Sequence, residues 1–300
     1  MIPFADAEVE RRLFPVVNVA LIGLNALVFL YELQLGGLGL LGGGGGPDIS
    51  AFFFKLGFIP EELTQGQACI YRYLGPVLSG QDYSCIEITK SLRVTVVPDL
   101  AVIPLAGGGV LQNVESPLPT WTTLFSYMFI HGGFFHFAGN MAFLWVLGDN
   151  IENRLGHVKY LLFYLVTGLA AALAQMAMDP HSQSPLIGAS GAVSGVVGAY
   201  LLLYPYNRIK ALIIFYFITV LELRALILLG LWSLWQLIQA LFSLGLSSSV
   251  NVAFFAHVGG VLAGVVIIAV YKLLTRQPIW PSRQRRQPWD YWYRTGQGPD

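Results

Sequence analysis

The sequence predicts an all-α membrane protein, a bundle of six transmembrane helices with a large extramembrane loop after the first. Three observations carry this. The 300 residues are 55% hydrophobic with a mean hydropathy of +0.62. Only 11% are charged, against roughly 25% in water-soluble domains. Six apolar runs approach the ~20 residues that cross a ~30 Å hydrocarbon core as helix, and the basic residues are sorted between the connections as membrane topology sorts them.

The runs are Val16 to Gln34, Thr123 to Leu147, Tyr160 to Met178, Ala189 to Tyr204, Ala225 to Leu246 and Val252 to Leu274. The first follows Arg11 and Arg12, lacks a small-x-small cleavage site and carries Glu32 near its end, so it reads as a retained helix and not as a signal peptide. The fourth is short and directly follows the loop DPHSQSPLIG. A helix can begin partway into the bilayer only where the loop entering it is buried in protein or lines a watery cavity. Ala211 to Val220 is too short to span; it is expected in the interface, as an extension of a neighbouring helix, or as an apolar connector packed on the bundle.

The resulting organisation is a cytoplasmic N-terminus (1–15), the first helix (16–34), a long extracytoplasmic loop with room for a small subdomain (35–121), a five-helix core (122–274) and a basic cytoplasmic tail (275–300). With the N-terminus inside, the inner segments hold Arg11, Arg12, Arg154, Lys159, Arg208, Lys210, Arg224, Lys272, Arg276, Arg283, Arg285, Arg286 and Arg294, which is 13 of the 17 basic residues. The rest, Lys55, Arg72, Lys90 and Arg93, lie in the long loop, where charge ceases to govern orientation. That loop opens on the tract Gly42 to Gly46 and closes on SPLPTW, and within it Val94 to Val97 and Ala101 to Ile103 look strand-like. It also holds both cysteines, Cys69 and Cys85, which form either a disulfide or two free thiols. A net charge of +0 gives no sign of a nucleic-acid partner, and the RQRRQ cluster of the tail suits anionic lipid.

Polar side chains inside apolar helices are costly enough to mark function by default. Three places stand out. In GASGAVSG, Ser190 lies between Gly188 and Gly191 at the start of the fourth helix, where a substrate backbone can approach its hydroxyl and orphan N–H groups favour an anion. In FFAHVGGVLAG, His257 shares a helix face with Gly260 and Gly264. Small-residue faces let two membrane helices approach closely, which would bring a serine and a histidine within hydrogen-bond reach. In HGGFFHFAGN, His131 precedes His136 and Asn140, and the latter two, one turn apart, point from one face as an oxyanion site requires. Each has a plainer meaning taken alone: a glycine-rich packing face with incidental serines, a structural histidine, an interhelical hydrogen-bonded pair.

Together, H-x4-H-x3-N, G-x-S-G and A-H-x-G-G-x3-G, in this order on the second, fourth and sixth helices, resemble the rhomboid intramembrane serine proteases. The similarity runs from about Trp121 to Leu274, and FPVVNVALIGLNALVFLYEL resembles a bacterial rhomboid first helix. Glu152 and Arg154 in IENRLG match the family's acidic and basic pair near the inner end of the second helix. The resemblance implies Ser190 as nucleophile, His257 as general base and then acid, and an oxyanion site of His136, Asn140 and the Ser190 N–H, with His131 structural. It also implies transmembrane protein substrates that enter beside the fifth helix, here bulky with Trp232, Trp235 and Phe242. A bacterial plasma membrane, with the site opening to the extracytoplasmic side, fits the same resemblance. The long first loop and the Ala211 to Val220 insert depart from the family pattern.

No Asp or Glu occurs between Glu222 and Asp290, so neither of the last two helices offers a carboxylate to orient His257. Orientation is left to packing, another side chain or water. No cofactor or metal is expected: H-E-x-x-H is absent, and Asp149 in LGD has no second intramembrane aspartate to pair with. Two other classes of function compete. An inactive rhomboid-like client binder would be betrayed by loss of the serine or histidine, and a solute transporter by duplicated halves or paired broken helices. Neither signature occurs in the sequence.

Overall fold

The apolar runs become helices, with ends set by specific polar contacts. The computed structural model describes residues 2–6, 13–36, 47–65, 71–74, 102–104, 110–113, 118–214, 218–245 and 253–281. Helix α1 (Val16–Gly36) is followed by two short helices of the first loop, α2 (Pro47–Leu56) and α3 (Pro60–Gln65). Then come α4 (Phe134–Phe143), a π-helical turn (Leu144–Gly148), α5 (Asp149–Leu155), α6 (His157–Met178), α7 (Ser190–Leu203), α8 (Ala225–Gly245) and α9 (Phe254–Leu274). Helices α1, α6, α8 and α9 are long and apolar enough to cross a membrane. Along α8, Ala225, Leu229, Gln236 and Ala240 are buried while Leu231, Trp235 and Phe242 are exposed. Leu231, Trp235 and Phe242 thus face outward, while small and polar residues join Leu229 on the inward face, as expected when lipid is the solvent.

The second segment departs from the single helix expected over Thr123 to Leu147. The chain passes through short turns from Thr120 to Phe129, is extended at Ile130, and enters α4 only at Phe134. Gly132 and Gly133 lie at the break, where glycine's cost in a helix is avoided. His131 therefore precedes the helix that carries His136 and Asn140. The helix then runs past its expected end to Leu155 through the π turn. There the Leu144 carbonyl accepts a hydrogen bond from Asn18 Nδ2 of α1 at 2.9 Å, and Asn18 Oδ1 accepts one from the Tyr160 hydroxyl at 2.7 Å. A foreign side chain inserted into the helical ladder is a recognised cause of such a widened turn.

Among the described residues, six strands form two antiparallel sheets. β1 (Ile2–Asp6), β5 (Arg208–Ile214) and β6 (Ile218–Arg224) make one, in the order β1-β5-β6. The first loop supplies the other: β2 (Tyr71–Leu74), β3 (Val102–Pro104) and β4 (Val110–Asn113), in the order β2-β4-β3. Of the Ala211 to Val220 stretch, the described residues do not extend a helix but lie in paired strands, 211–214 in β5 and 218–220 in β6. The signal for β5 is the period-two alternation of RIKA, in which Ile209 and Ala211 are buried while Arg208 and Lys210 are exposed. Of the strand-like stretches expected in the first loop, the second overlaps β3 at Val102 and Ile103. Val94 to Val97 and the Cys69–Cys85 pair lie outside the described residues.

At the centre α7 packs against α6 and α9. It is entirely apolar or small and almost wholly buried. A β-carbon added at Gly260 would lie 2.2 Å from the Gly191 carbonyl oxygen, and one at Gly264 would lie 2.0 Å from that of Gly195. The two backbones are therefore in direct contact over a full turn, which only glycine permits. Gly264→Ala is expected to lower the melting temperature in detergent sharply, since neither backbone can retreat cheaply, whereas Gly230→Ala on α8, where a β-carbon meets nothing within 4 Å, should leave it unchanged or raised. Thermal denaturation of the two variants side by side measures the difference.

Candidate active site

Helix α7 has 14 residues and so extends only about 21 Å, less than the ~30 Å core it would need to cross. Its first residue is Ser190, which therefore starts well inside the bundle. The loop that delivers it is held from several sides. Gly188 N–H donates to the Tyr127 carbonyl at 2.9 Å. Phe58, between α2 and α3, exchanges two backbone hydrogen bonds with Leu186, at 3.0 and 2.7 Å. The Thr64 hydroxyl of α3 donates to the Pro180 carbonyl at 2.9 Å. Part of the long first loop thus buttresses the approach to Ser190.

His257 lies in the first turn of α9. Ser190 Oγ and His257 Nε2 lie 2.8 Å apart, within hydrogen-bond reach, and His257 Nδ1 faces Gln236 Oε1 of α8 at 2.8 Å. The glycine contacts further along α7 and α9 set this distance, because Gly191 to Gly260 and Gly195 to Gly264 are successive rungs of one seam whose outer end is Ser190 and His257. Trp232 and Phe254 flank the imidazole, with ring centroids 6.1 and 6.5 Å away.

Gly188 stands at φ +121, where side chains are strained. A β-carbon there would also lie 2.6 Å from His136 Nε2 and 3.6 Å from Ser190 Oγ. The edge of the His136 ring and the serine hydroxyl therefore border the same small space. The Ser190 N–H is one of the first in α7, with no carbonyl of its own helix to meet. Asn140 is buried one turn along from His136, with Nδ2 donating to the His136 carbonyl at 3.0 Å; its second amide hydrogen is not used by that bond.

His131 is fully buried away from the hydroxyl. Its ring stands edge-on to His136 at 5.2 Å, and its backbone N–H donates to Glu32 Oε1 at 3.0 Å. Glu152 and Arg154 lie at the other end of the bundle. Glu152 is fully buried and accepts from the N–H groups of Val17 at 2.9 Å and Asn18 at 2.7 Å, so a carboxylate from α5 satisfies the orphan donors at the start of α1. Arg154 Nη2 donates to Gln277 Oε1, just beyond α9. Ser190, His257 and His136 are thus brought together with Gly188 and Gly191, Asn140 adjoins them, and the remaining motif residues brace the fold.

Two participants escaped the sequence reading. Gln236 is one of two amides on a largely apolar helix, the other being Gln239, and its only signal is its place one turn from Trp232 and one from Ala240. Lys272, one of the basic residues that sort the topology, is buried and donates to the Leu202 carbonyl at 2.8 Å, capping the far end of α7. Among the described residues, no group of three or more His, Cys, Asp or Glu is placed to hold a metal ion.

Residues 119–273, just over half of the chain, match the family model of the Rhomboid domain. The chain is 33% identical over 104 residues to the rhomboid protease GluP of Bacillus subtilis, covering 35% of this chain and 20% of that protein. It is 29% identical over 174 residues to RHOMBOID-like protein 1 of Arabidopsis thaliana, covering 56% and 38%. It is 31% identical over 142 residues to Rhomboid-related protein 2 of Mus musculus, covering 47% and 45%. In each case the match spans less than half of the relative's length. With a matching domain, four helices fit to cross a membrane, and a short central helix among them, the chain belongs to the rhomboid family of integral membrane proteins.

Proposed function

We propose that this chain is an intramembrane serine endopeptidase that hydrolyses peptide bonds in or near transmembrane segments of other proteins, with Ser190 as nucleophile and His257 as base. The observation that carries the reading is the 2.8 Å contact between Ser190 Oγ and His257 Nε2. A serine hydroxyl is a weak nucleophile until a neighbouring base takes its proton. In the proposed first step Oγ bonds to the scissile carbonyl carbon as its proton passes to Nε2. The carbonyl oxygen becomes an oxyanion at the space shared by the Ser190 N–H, the His136 edge and the remaining Asn140 amide hydrogen. His257 then protonates the departing amine, and a water activated by the same Nε2 hydrolyses the acyl-enzyme.

Ser190→Ala and His257→Ala should each lower kcat by about a thousandfold or more against single-span substrates in liposomes, and the double variant should lose little further, because the two act as one unit. A serine-directed fluorophosphonate should label Ser190 only where His257 is intact, and chelators should have no effect. Cleavage retained by folded Ser190→Ala protein ends the protease reading. Tight capture of single-span proteins without hydrolysis by the unaltered chain would favour a client binder instead.

The same reading places the chain in a bacterial plasma membrane with both termini cytoplasmic. The orientation rests on 13 of the 17 basic residues falling on one side. A single cysteine introduced at Gln284 should react with a membrane-impermeant maleimide only after the cytoplasmic face is opened; reaction in intact cells overturns the orientation.

A further inference from the structure

We infer that Gln236 is a positioning residue for the dyad: its amide oxygen keeps the imidazole proton on Nδ1 and so the Nε2 lone pair on Ser190, making the base complete only while α8 is seated against α9. The inference rests on the dyad proposed above. A neutral imidazole has one N–H and one lone pair, and which nitrogen carries the proton is set by what the other atoms offer. Gln236 Oε1, 2.8 Å from Nδ1, can only accept. The proton is therefore fixed on Nδ1, and Nε2 is left as the acceptor that the Ser190 hydroxyl, also at 2.8 Å, requires.

As the serine proton reaches Nε2 the ring becomes cationic. The Nδ1–H···Oε1 bond is then charge-assisted and stronger than in the resting state. An interaction that strengthens as charge develops acts on the transition state more than on substrate binding. The amide takes no proton at any stage; it orients and polarises.

Its origin on α8 adds a condition. Among the described residues the hydroxyls of Ser233 and Ser243 donate to carbonyls of their own helix, at 2.8 and 2.7 Å, whereas the Gln236 side chain crosses to α9. Gln236 is only 8% exposed, on a helix whose opposite face carries Leu234, Trp235 and Leu241 outward. Displacement of α8 would break the Gln236 contact while the glycine seam held Ser190 and His257 together. The tautomer would then be unspecified although the dyad distance was kept.

Gln236→Leu and Gln236→Glu in the full chain test this. Gln236→Leu keeps approximate volume and removes the acceptor: kcat and the rate of fluorophosphonate labelling of Ser190 should fall about tenfold, with KM changed less than about twofold. Gln236→Glu restores an acceptor and should recover most of the rate. Its carboxylate also favours the imidazolium, so the acidic limb of the pH profile moves to higher pH. That shift reports contact between position 236 and the ring; the tautomer and the Gln236→Leu rates separate positioning from packing. Nitrogen NMR of labelled histidine reads the tautomer without turnover: His257 should be Nδ1-protonated in the unaltered chain and in Ser190→Ala, and mixed in Gln236→Leu. Labelling and a pH profile unchanged by Gln236→Leu, equal impairment by both substitutions, or an Nε2-protonated ring overturns the proposal. If Gln236→Leu does not fold, the pH limb of Gln236→Glu and the tautomer of the unaltered chain decide. An inactive unaltered chain with an Nδ1-protonated His257 would reject the protease reading and leave the hydrogen bond standing.

Discussion

The carbonyl oxygens of Gly191 and Gly195 occupy the space that side chains at positions 260 and 264 would need. Between membrane helices there is little hydrophobic driving force, because lipid tails are as apolar as leucine; close packing must supply the association instead. The seam between α7 and α9 does so by bringing the backbones themselves together, and Ser190 and His257 stand at its outer end. Had either helix carried alanine or larger residues along this line, the axes would separate and the 2.8 Å contact would open with them.

A short central helix creates backbone debts at both ends that lipid cannot settle. Near Ser190 the Tyr127 carbonyl accepts the Gly188 N–H, and Phe58 pairs with Leu186 as a strand would. Gly57 is pressed so closely on this loop that a β-carbon there would lie 2.9 Å from Pro185 and 3.0 Å from Ile187. At the other end Lys272 reaches the Leu202 carbonyl, and the Tyr200 hydroxyl donates to Asp6 on β1. The first loop and the N-terminal strand thus brace α7 from opposite ends.

The helices were legible because apolar length is a strong signal, and the site was legible because histidine, asparagine and serine between glycines are conspicuous in apolar surroundings. What resisted reading was tertiary. The break at Ile130 to Gly133 lies inside a run long and apolar enough to read as one helix, and the π turn at Leu144 depends on Asn18, more than a hundred residues away in sequence. The hairpin of β5 and β6 was obscured because its apolar composition mimics a membrane segment; only the alternation at Arg208 to Ala211 betrayed it. Glutamine in an apolar helix is a weaker flag than histidine, and nothing in sequence spacing links Gln236 to His257.

The choice of a neutral amide beside His257 follows from how this bundle treats charge. Among the described residues two acidic side chains are fully buried, Glu32 and Glu152, and each accepts from backbone N–H, from His131 in one case and from Val17 and Asn18 in the other. A carboxylate at position 236 would favour a resting imidazolium, whose Nε2 already carries a proton and cannot take one from Ser190 until the pH is raised. The amide avoids that block and still fixes the tautomer, forgoing the stronger stabilisation an ion pair would give the imidazolium. Because the amide is carried by α8, whose other face holds Trp235 and Phe242 outward, the geometry of the base and the seating of a lipid-facing wall become a single structural variable.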